Sequence, residues 1–95
     1  MILVPAARIA ELRAKGWWGS RTLADLFDEQ VRAHPDAEAC IDPVNRADID
    51  GGAVRRLSWR ALDDEVNRMM AVLHAHGIRK DDVVIVQLAN TVELG

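Results

Sequence analysis

Four consecutive branched aliphatic residues, Val83-Val84-Ile85-Val86, constrain this chain more than any other feature. Branching at Cβ favours extended backbone, and a run without polar alternation fits a strand covered on both faces, as parallel strands between helical layers are. Such a strand needs neighbours distant in sequence, and a chain of 95 residues offers few of them. Shortly afterwards Asn90, with Glu93 three positions on, forms an Asx version of the capping box that opens helices. The sequence reaches Gly95 before that helix completes a turn. The expectation is a fragment of a longer protein, interrupted at or just after a strand-to-helix junction.

The rest of the chain supplies helices and a hairpin. Pro5 suits a first helical turn, residues 6–15 are rich in helix formers, and Gly16 is placed as a stop. Trp17-Trp18-Gly19-Ser20 reads as a linking turn whose indoles are expected to anchor in a dry core. Thr22 and Asp25 then resemble a capping box, and Leu23, Leu26, Phe27 and Val31 fall on one helical face that ends at Pro35. His34 and Arg32 in its last turn suit the helix dipole. Ala37, Ala39 and Ile41 alternate with Glu38, Cys40 and Asp42, which predicts a half-buried strand with Ile41 inward. Residues 42–53 are rich in turn formers, and residues 54–57 return as a second strand, giving a hairpin with a long tip. Ser58 is a plausible N-cap, after which Leu62, Val66, Met69, Met70 and Leu73 trace one helical face as far as Gly77.

Composition removes several function classes. With 12 basic and 15 acidic residues the net charge is −3, which offers no electrostatic footprint for a nucleic acid partner. One cysteine, Cys40, forms no intramolecular disulfide and reads as a buried small hydrophobe, in keeping with a reducing, cytoplasmic setting. The apolar opening is broken by Pro5 and lacks a basic stretch before it, so it is a poor signal peptide. The longest apolar runs, residues 1–7, 69–73 and 83–86, are too short to span a bilayer, so no membrane association is expected.

Lys15 and Lys80 follow Ala14 and Arg79, so neither sits in a phosphate-cradling Gly-Lys loop. Gly51-Gly52 lacks the strand-glycine-helix order of a nucleotide loop and reads as a hairpin tip. Aligning Asp48-Ile49-Asp50-Gly51 with a calcium loop puts Arg46 and Leu57 where acidic ligands belong. His74 and His76 are about 200° apart around a helix and cannot share one metal from it. Asp63-Asp64-Glu65 complements a helix dipole, Ser20 and Ser58 have no histidine motif nearby, and Met69 and Met70 read as core filler. No residue is therefore assigned a catalytic, cofactor-binding or metal-binding role.

Several segments in order resemble one family. Thr22-Leu23-Ala24-Asp25-Leu26-Phe27, Val31 and His34-Pro35-Asp36 resemble the opening helix of the adenylate-forming (AMP-binding) superfamily, which includes acyl-CoA synthetases and aryl-acid AMP ligases. Leu57-Ser58-Trp59-Arg60-Ala61-Leu62-Asp63 is similar to that family's Leu-Thr-Tyr-x-x-Leu-Asp stretch, and Val66-Asn67-Arg68 to its Val-Asn-Arg run. Gly77-Ile78-Arg79, the Asp82 to Leu88 run and Asn90 resemble its Gly-Val-x-x-Gly-Asp-x-Val segment and Leu-Pro-Asn exit. Gly16-Trp17-Trp18 looks most like the cyclohexanecarboxylate-CoA ligase type and the dihydroxybenzoate-activating enzymes. Asp81 stands where the family usually has glycine, Ala89 where it has proline, and the loop over residues 42–56 is longer than in compact relatives.

The resemblance implies an α/β fold: an N-terminal fragment of the large adenylate-forming domain, with helices packed on a hairpin and one buried strand. Residues 1–95 would form a single partial domain, with residues 1–21 as a leading helix and linking turn. It implies a parent enzyme that joins a carboxylic acid to CoA or another thiol through an acyl-adenylate, using ATP, Mg and CoA. The phosphate loop, the AMP-holding residues and the mobile C-terminal domain with its catalytic lysine would lie beyond residue 95, so the fragment is expected to bind no cofactor and to catalyse nothing alone. A rival reading is a self-contained small α/β interaction module without enzymatic activity. Exposed apolar surface makes a homo-oligomer or aggregate the expected state of the isolated chain under either reading.

Overall fold

The computed structural model describes residues 3–94. Its elements are α1 (Ala6–Ala14), α2 (Leu23–Ala33), β1 (Glu38–Ile41), α3 (Arg46–Asp50), β2 (Arg56–Ser58) and α4 (Trp59–Ala75). The architecture is thus α/β, with helices around a two-stranded antiparallel hairpin. In α2 the capping box forms: the Asp25 amide donates to Thr22 Oγ1 at 3.1 Å and the Thr22 amide to Asp25 Oδ2 at 2.7 Å. Those amide and hydroxyl donors hold the Asp25 carboxyl below its usual range. Ser58 caps α4 by accepting from the Ala61 amide at 3.2 Å. The Trp59 and Arg60 amides find acceptors in the Ala37 and Pro35 carbonyls, which ties the start of α4 to the α2–β1 link. Helices α1 and α4 end alike. Gly16 and Gly77 adopt φ of 69° and 85°, and the amides of Trp17 and Ile78 reach back to the Leu12 and Leu73 carbonyls. These are Schellman closures, for which glycine is the favoured residue.

Helix α4 packs on both strands, and α2 packs on α4. An edge-on contact between Phe27 and Trp59, with ring centroids 5.8 Å apart at 64°, locks the two helices together. The register pairs Glu38 with Ser58, Cys40 with Leu57 and Ile41 with Arg56, with an irregularity between Glu38 and Cys40. That extra residue reverses the alternation expected for β1. Cys40 and Ala39 are half-buried, Ile41 is exposed, and Asp42 is the buried group instead.

One expectation, the covered strand at residues 83–86, is not met within these residues, and two, the packing of Trp17 with Trp18 and of Met69 with Met70, are corrected. The run at residues 83–86 carries no ladder bond among the described residues, and its side chains stand in solvent, with Ile85 90% exposed. Among the described residues the hairpin strands pair only with each other, and no strand lies beside the run. Trp17 and Trp18 are exposed by 69% and 43%, because α1 touches no other helix or strand. Met69 and Met70 are exposed rather than core filler, whereas Leu62, Val66 and Leu73 on the same helix are half-buried. The radius of gyration, 17.1 Å, exceeds the roughly 12 Å of a compact chain of this length. Among the described residues, only Leu57 and Val92 are buried apolar residues.

Candidate functional site

The turn-rich stretch between the strands is more ordered than its composition suggests. Residues 46–50 wind into the single turn of α3, closed by Gly51 at φ 77°. This places Asp42, Arg46 and Asp50 four residues apart with their side chains converging. Arg46 Nη1 donates to Asp42 Oδ2 at 2.5 Å, and its Nη2 donates to Asp50 Oδ2 at 3.1 Å and to Glu93 Oε1 at 2.9 Å. Arg55 bridges Glu93 at 3.0 Å and Glu65 of α4 at 2.9 Å. Asp42 also accepts from the backbone amides of Arg55, at 2.7 Å, and Val92, at 2.8 Å. One buried carboxylate thereby ties together the β1 exit, the β2 entry and a segment fifty residues away.

The carboxylates of Asp42 and Glu93 are held in their charged form. Burial pushes the Asp42 carboxyl up, but the Arg46 guanidinium and the two backbone amides outweigh it, so its pKa falls below the ordinary carboxylate value. The Thr91 hydroxyl and both guanidinium groups hold Glu93 down at about 2. Arg46 and Arg55 are correspondingly pushed up, first by Asp42 for the former and by Glu93 for the latter. A general base near pH 7 needs a pKa near that value, and these carboxylates are far from it. Every buried side-chain nitrogen and oxygen among the described residues has a partner. The arrangement is a clamp, built to hold the turn at residues 91–94 against the hairpin.

Beside the clamp lies a cleft of about 220 Å³ between α4 and that turn, lined by Leu57, Leu62, Val66, Met69, Met70 and Val92 with Arg55, Glu65 and Glu93 at its polar edge. The remaining residues weighed in the sequence fall to structural places. Ser58 is a cap, and Gly51 ends α3. Asp48 belongs to α3, and Asp50 pairs with Arg46. Asp63, Asp64 and Glu65 lie in the first half of α4, where Glu65 is engaged by Arg55 and Arg68. His74 sits in the last turn of α4 and His76 at its C-cap. Cys40 is half-buried, and burial pushes its thiol up. Among the described residues no group of three His, Cys, Asp or Glu side chains is placed to hold a metal ion, and no helix is long and apolar enough to cross a membrane.

Asp42, Arg46 and Glu93 were not singled out as a unit by sequence reasoning. The four-residue spacing of Asp42, Arg46 and Asp50 is a weak signal, while the link to Glu93 has none, because its partners are 47 and 38 residues away.

Comparison with known proteins matches residues 27–94 to the family described as AMP-binding enzyme. The chain is 38% identical over 86 residues to the salicyl-AMP ligase / salicyl-S-ArCP synthetase of Mycobacterium tuberculosis H37Rv, covering 90% of this chain. It is 32% identical over 75 residues, 79% of this chain, to the crotonobetaine/carnitine–CoA ligase of Salmonella paratyphi A. It spans 14% of the length of each of these relatives. No solved structure is a significant match. The match extends from the Phe27 that packs on Trp59 to the turn clamped by Glu93, and the chain belongs to the AMP-binding enzyme family.

Proposed function

We propose that this chain is the N-terminal scaffold of an ATP-dependent ligase that activates a carboxylic acid as its acyl-adenylate and passes the acyl group to a thiol. The observation that carries the reading is the family match over residues 27–94, joined to a structure whose exposed apolar run at residues 83–86 lacks the cover it needs. In the complete domain that run is a strand buried between helical layers, as unalternating branched residues require. Residues 1–95 are then one partial domain, with residues 1–21 as its leading helix and linking turn. The protein works in the cytoplasm, with no nucleic acid or membrane partner.

ATP, Mg and CoA belong to the whole enzyme in this reading. The residues present here do not fit them. The guanidinium groups of Arg46 and Arg55 are committed to Asp42, Glu93, Asp50 and Glu65, and the clamp carboxylates are committed in return, so neither phosphate nor metal finds an open donor set in the clamp. No chemical step is routed through this segment. Its contribution is to fix the β-hairpin, α4 and the exit at residues 90–94 relative to one another. The self-contained module is disfavoured by the extended shape and by a core that, among the described residues, holds two buried apolar side chains.

One relative is named for salicyl-AMP and salicyl-S-ArCP and the other for crotonobetaine or carnitine and CoA; the substrate class of this reading is an aryl, alicyclic or medium-chain acid. The test is capture of the activated acid by hydroxylamine. The full-length protein, given ATP and a panel of carboxylic acids, should yield a hydroxamate with at least one member and AMP in equal amount. ATP cleavage to ADP, or no hydroxamate across the panel, would overturn the proposal.

A further inference from the structure

The leading segment is an orphan within the structure. Helix α1 touches no other element, and the segment is joined to the body through the Arg21–Glu29 ion pair next to the Thr22 cap. Both indoles lie open just past its Schellman turn, with the Lys15 ammonium 5.1 Å from the Trp17 ring centroid. Charge separates it further. Arg8, Arg13, Lys15 and Arg21 stand against Glu11 alone, so residues 1–21 carry +3 within a chain whose total is −3, and the remainder carries −6. Arg8 and Lys15 share Glu11 and Arg21 is met by Glu29, so it is the adjacent exposed tryptophans, with Arg13 close by, that describe a surface made to be covered.

The comparisons bear on what covers it. The family match begins at residue 27, after this segment. The alignment with the salicyl-AMP ligase takes in 86 of the 95 residues, so at most nine lie outside it, and Trp17 and Trp18 fall inside wherever it starts. Residues 10–21 of the arm therefore lie within the alignment to a ligase of which this chain covers 14%. The link between Gly19 and Thr22 is short, and a short tether gives an intramolecular seat an effective concentration on the order of millimolar. That exceeds what a second copy reaches at ordinary protein concentrations. An anionic membrane is a poor seat, because α1 has nine residues and is only weakly amphipathic.

We propose that residues 3–21 are a docking arm whose seat is on the same polypeptide beyond residue 95: an apolar surface that takes both indoles, edged by carboxylates that meet Arg13. This rests on the ligase reading above, and its test uses a separate readout. Trypsin cleavage after Arg13 and Lys15 reports how often the arm is undocked. Cleavage in the full-length protein should be at least tenfold slower than in the 95-residue chain, independent of protein concentration. Trp17→Ser/Trp18→Ser should restore the fast rate. Arg13→Glu, a surface change that leaves the indoles in place, should speed cleavage at Lys15 severalfold. Equal rates in the two proteins would overturn the proposal. So would protection that disappears on dilution, which would mark a second copy as the seat, or protection that appears only with phosphatidylglycerol vesicles. An arm that is protected in a protein that forms no acyl-adenylate would overturn the ligase reading while leaving the arm's seat in place.

Discussion

Gly52 offers a sharp probe of whether the clamp is rigid. A Cβ built on Gly52 would stand 2.8 Å from Asp50 Oδ1 and 2.9 Å from Arg46 Nε, so roughly half an ångström of movement is needed before ordinary contact is restored. The backbone itself does not demand glycine there. Alanine would by itself stabilise through the unfolded chain by about 0.4–1 kcal/mol. Against this, displacing Asp50 breaks the bond its Oδ1 accepts from the Gly52 amide at 2.8 Å, and a hydrogen bond to a charged acceptor contributes about 1.5–3 kcal/mol. The balance is a loss of ~1–2 kcal/mol, or about a 5- to 30-fold rise in the open population. Native-state hydrogen exchange at the Arg55 and Val92 amides, both held by Asp42, reads that opening locally. Gly19→Ala is the control, because its Cβ would meet nothing closer than the Arg21 amide at 3.9 Å, and exchange at the same two amides should not change. If Gly52→Ala leaves both amides as protected as the control does, Asp50 is free to move aside and the clamp is slack.

Other outcomes follow from the same geometry. Because Glu93 is held at about 2 against an ordinary 4.5, its contribution is complete above pH 4.5 and is lost as pH falls through 2; with its side chain 40% exposed the contribution is screened to about 1 kcal/mol, and Glu93→Gln should remove that acid dependence from exchange at Val92. A double-mutant cycle over Phe27→Leu and Trp59→Leu should return a coupling of ~0.5–1.5 kcal/mol in urea unfolding followed by circular dichroism, whereas zero coupling would mean that the edge-on contact is incidental. Asp81 sits at φ 74°, where the family pattern has glycine, so the backbone strain of Asp81→Val should cost ~1–3 kcal/mol, read from exchange of the Asp82 amide that closes the turn onto Arg79.

The parts of this fold that were legible in the sequence are those decided within four residues. Thr22 with Asp25, Ser58 ahead of the α4 face, and Gly16 and Gly77 as stops each act on their own helix, and each forms as read. The hairpin was visible from alternation and turn residues, but its phase was not. The irregularity at Ala39 turns Asp42 inward, and nothing local announces it, because the reward is a set of partners supplied by Arg55 and Val92. α3 was hidden in a stretch whose composition also fits an open loop, since a single turn is fixed by Gly51 and by the Arg46 pairs rather than by helix propensity. The exposure of Trp17, Trp18 and residues 83–86 has a different cause. Apolar patterning states that a surface requires cover, and it is silent on which polypeptide provides it.

The account rests most directly on carboxylate-dependent exchange of pyrophosphate into ATP, measured side by side on the 95-residue chain and on the full-length protein. Acyl-adenylate formation releases pyrophosphate reversibly, so exchange appears only where the whole adenylating site is present. The account predicts no exchange above background for the 95-residue chain, whose Asp42, Arg46, Arg55 and Glu93 are committed to one another in the clamp, and acid-dependent exchange for the full-length protein. Exchange by the short chain alone, or none by the full-length protein with any aryl, alicyclic or medium-chain acid, would contradict it.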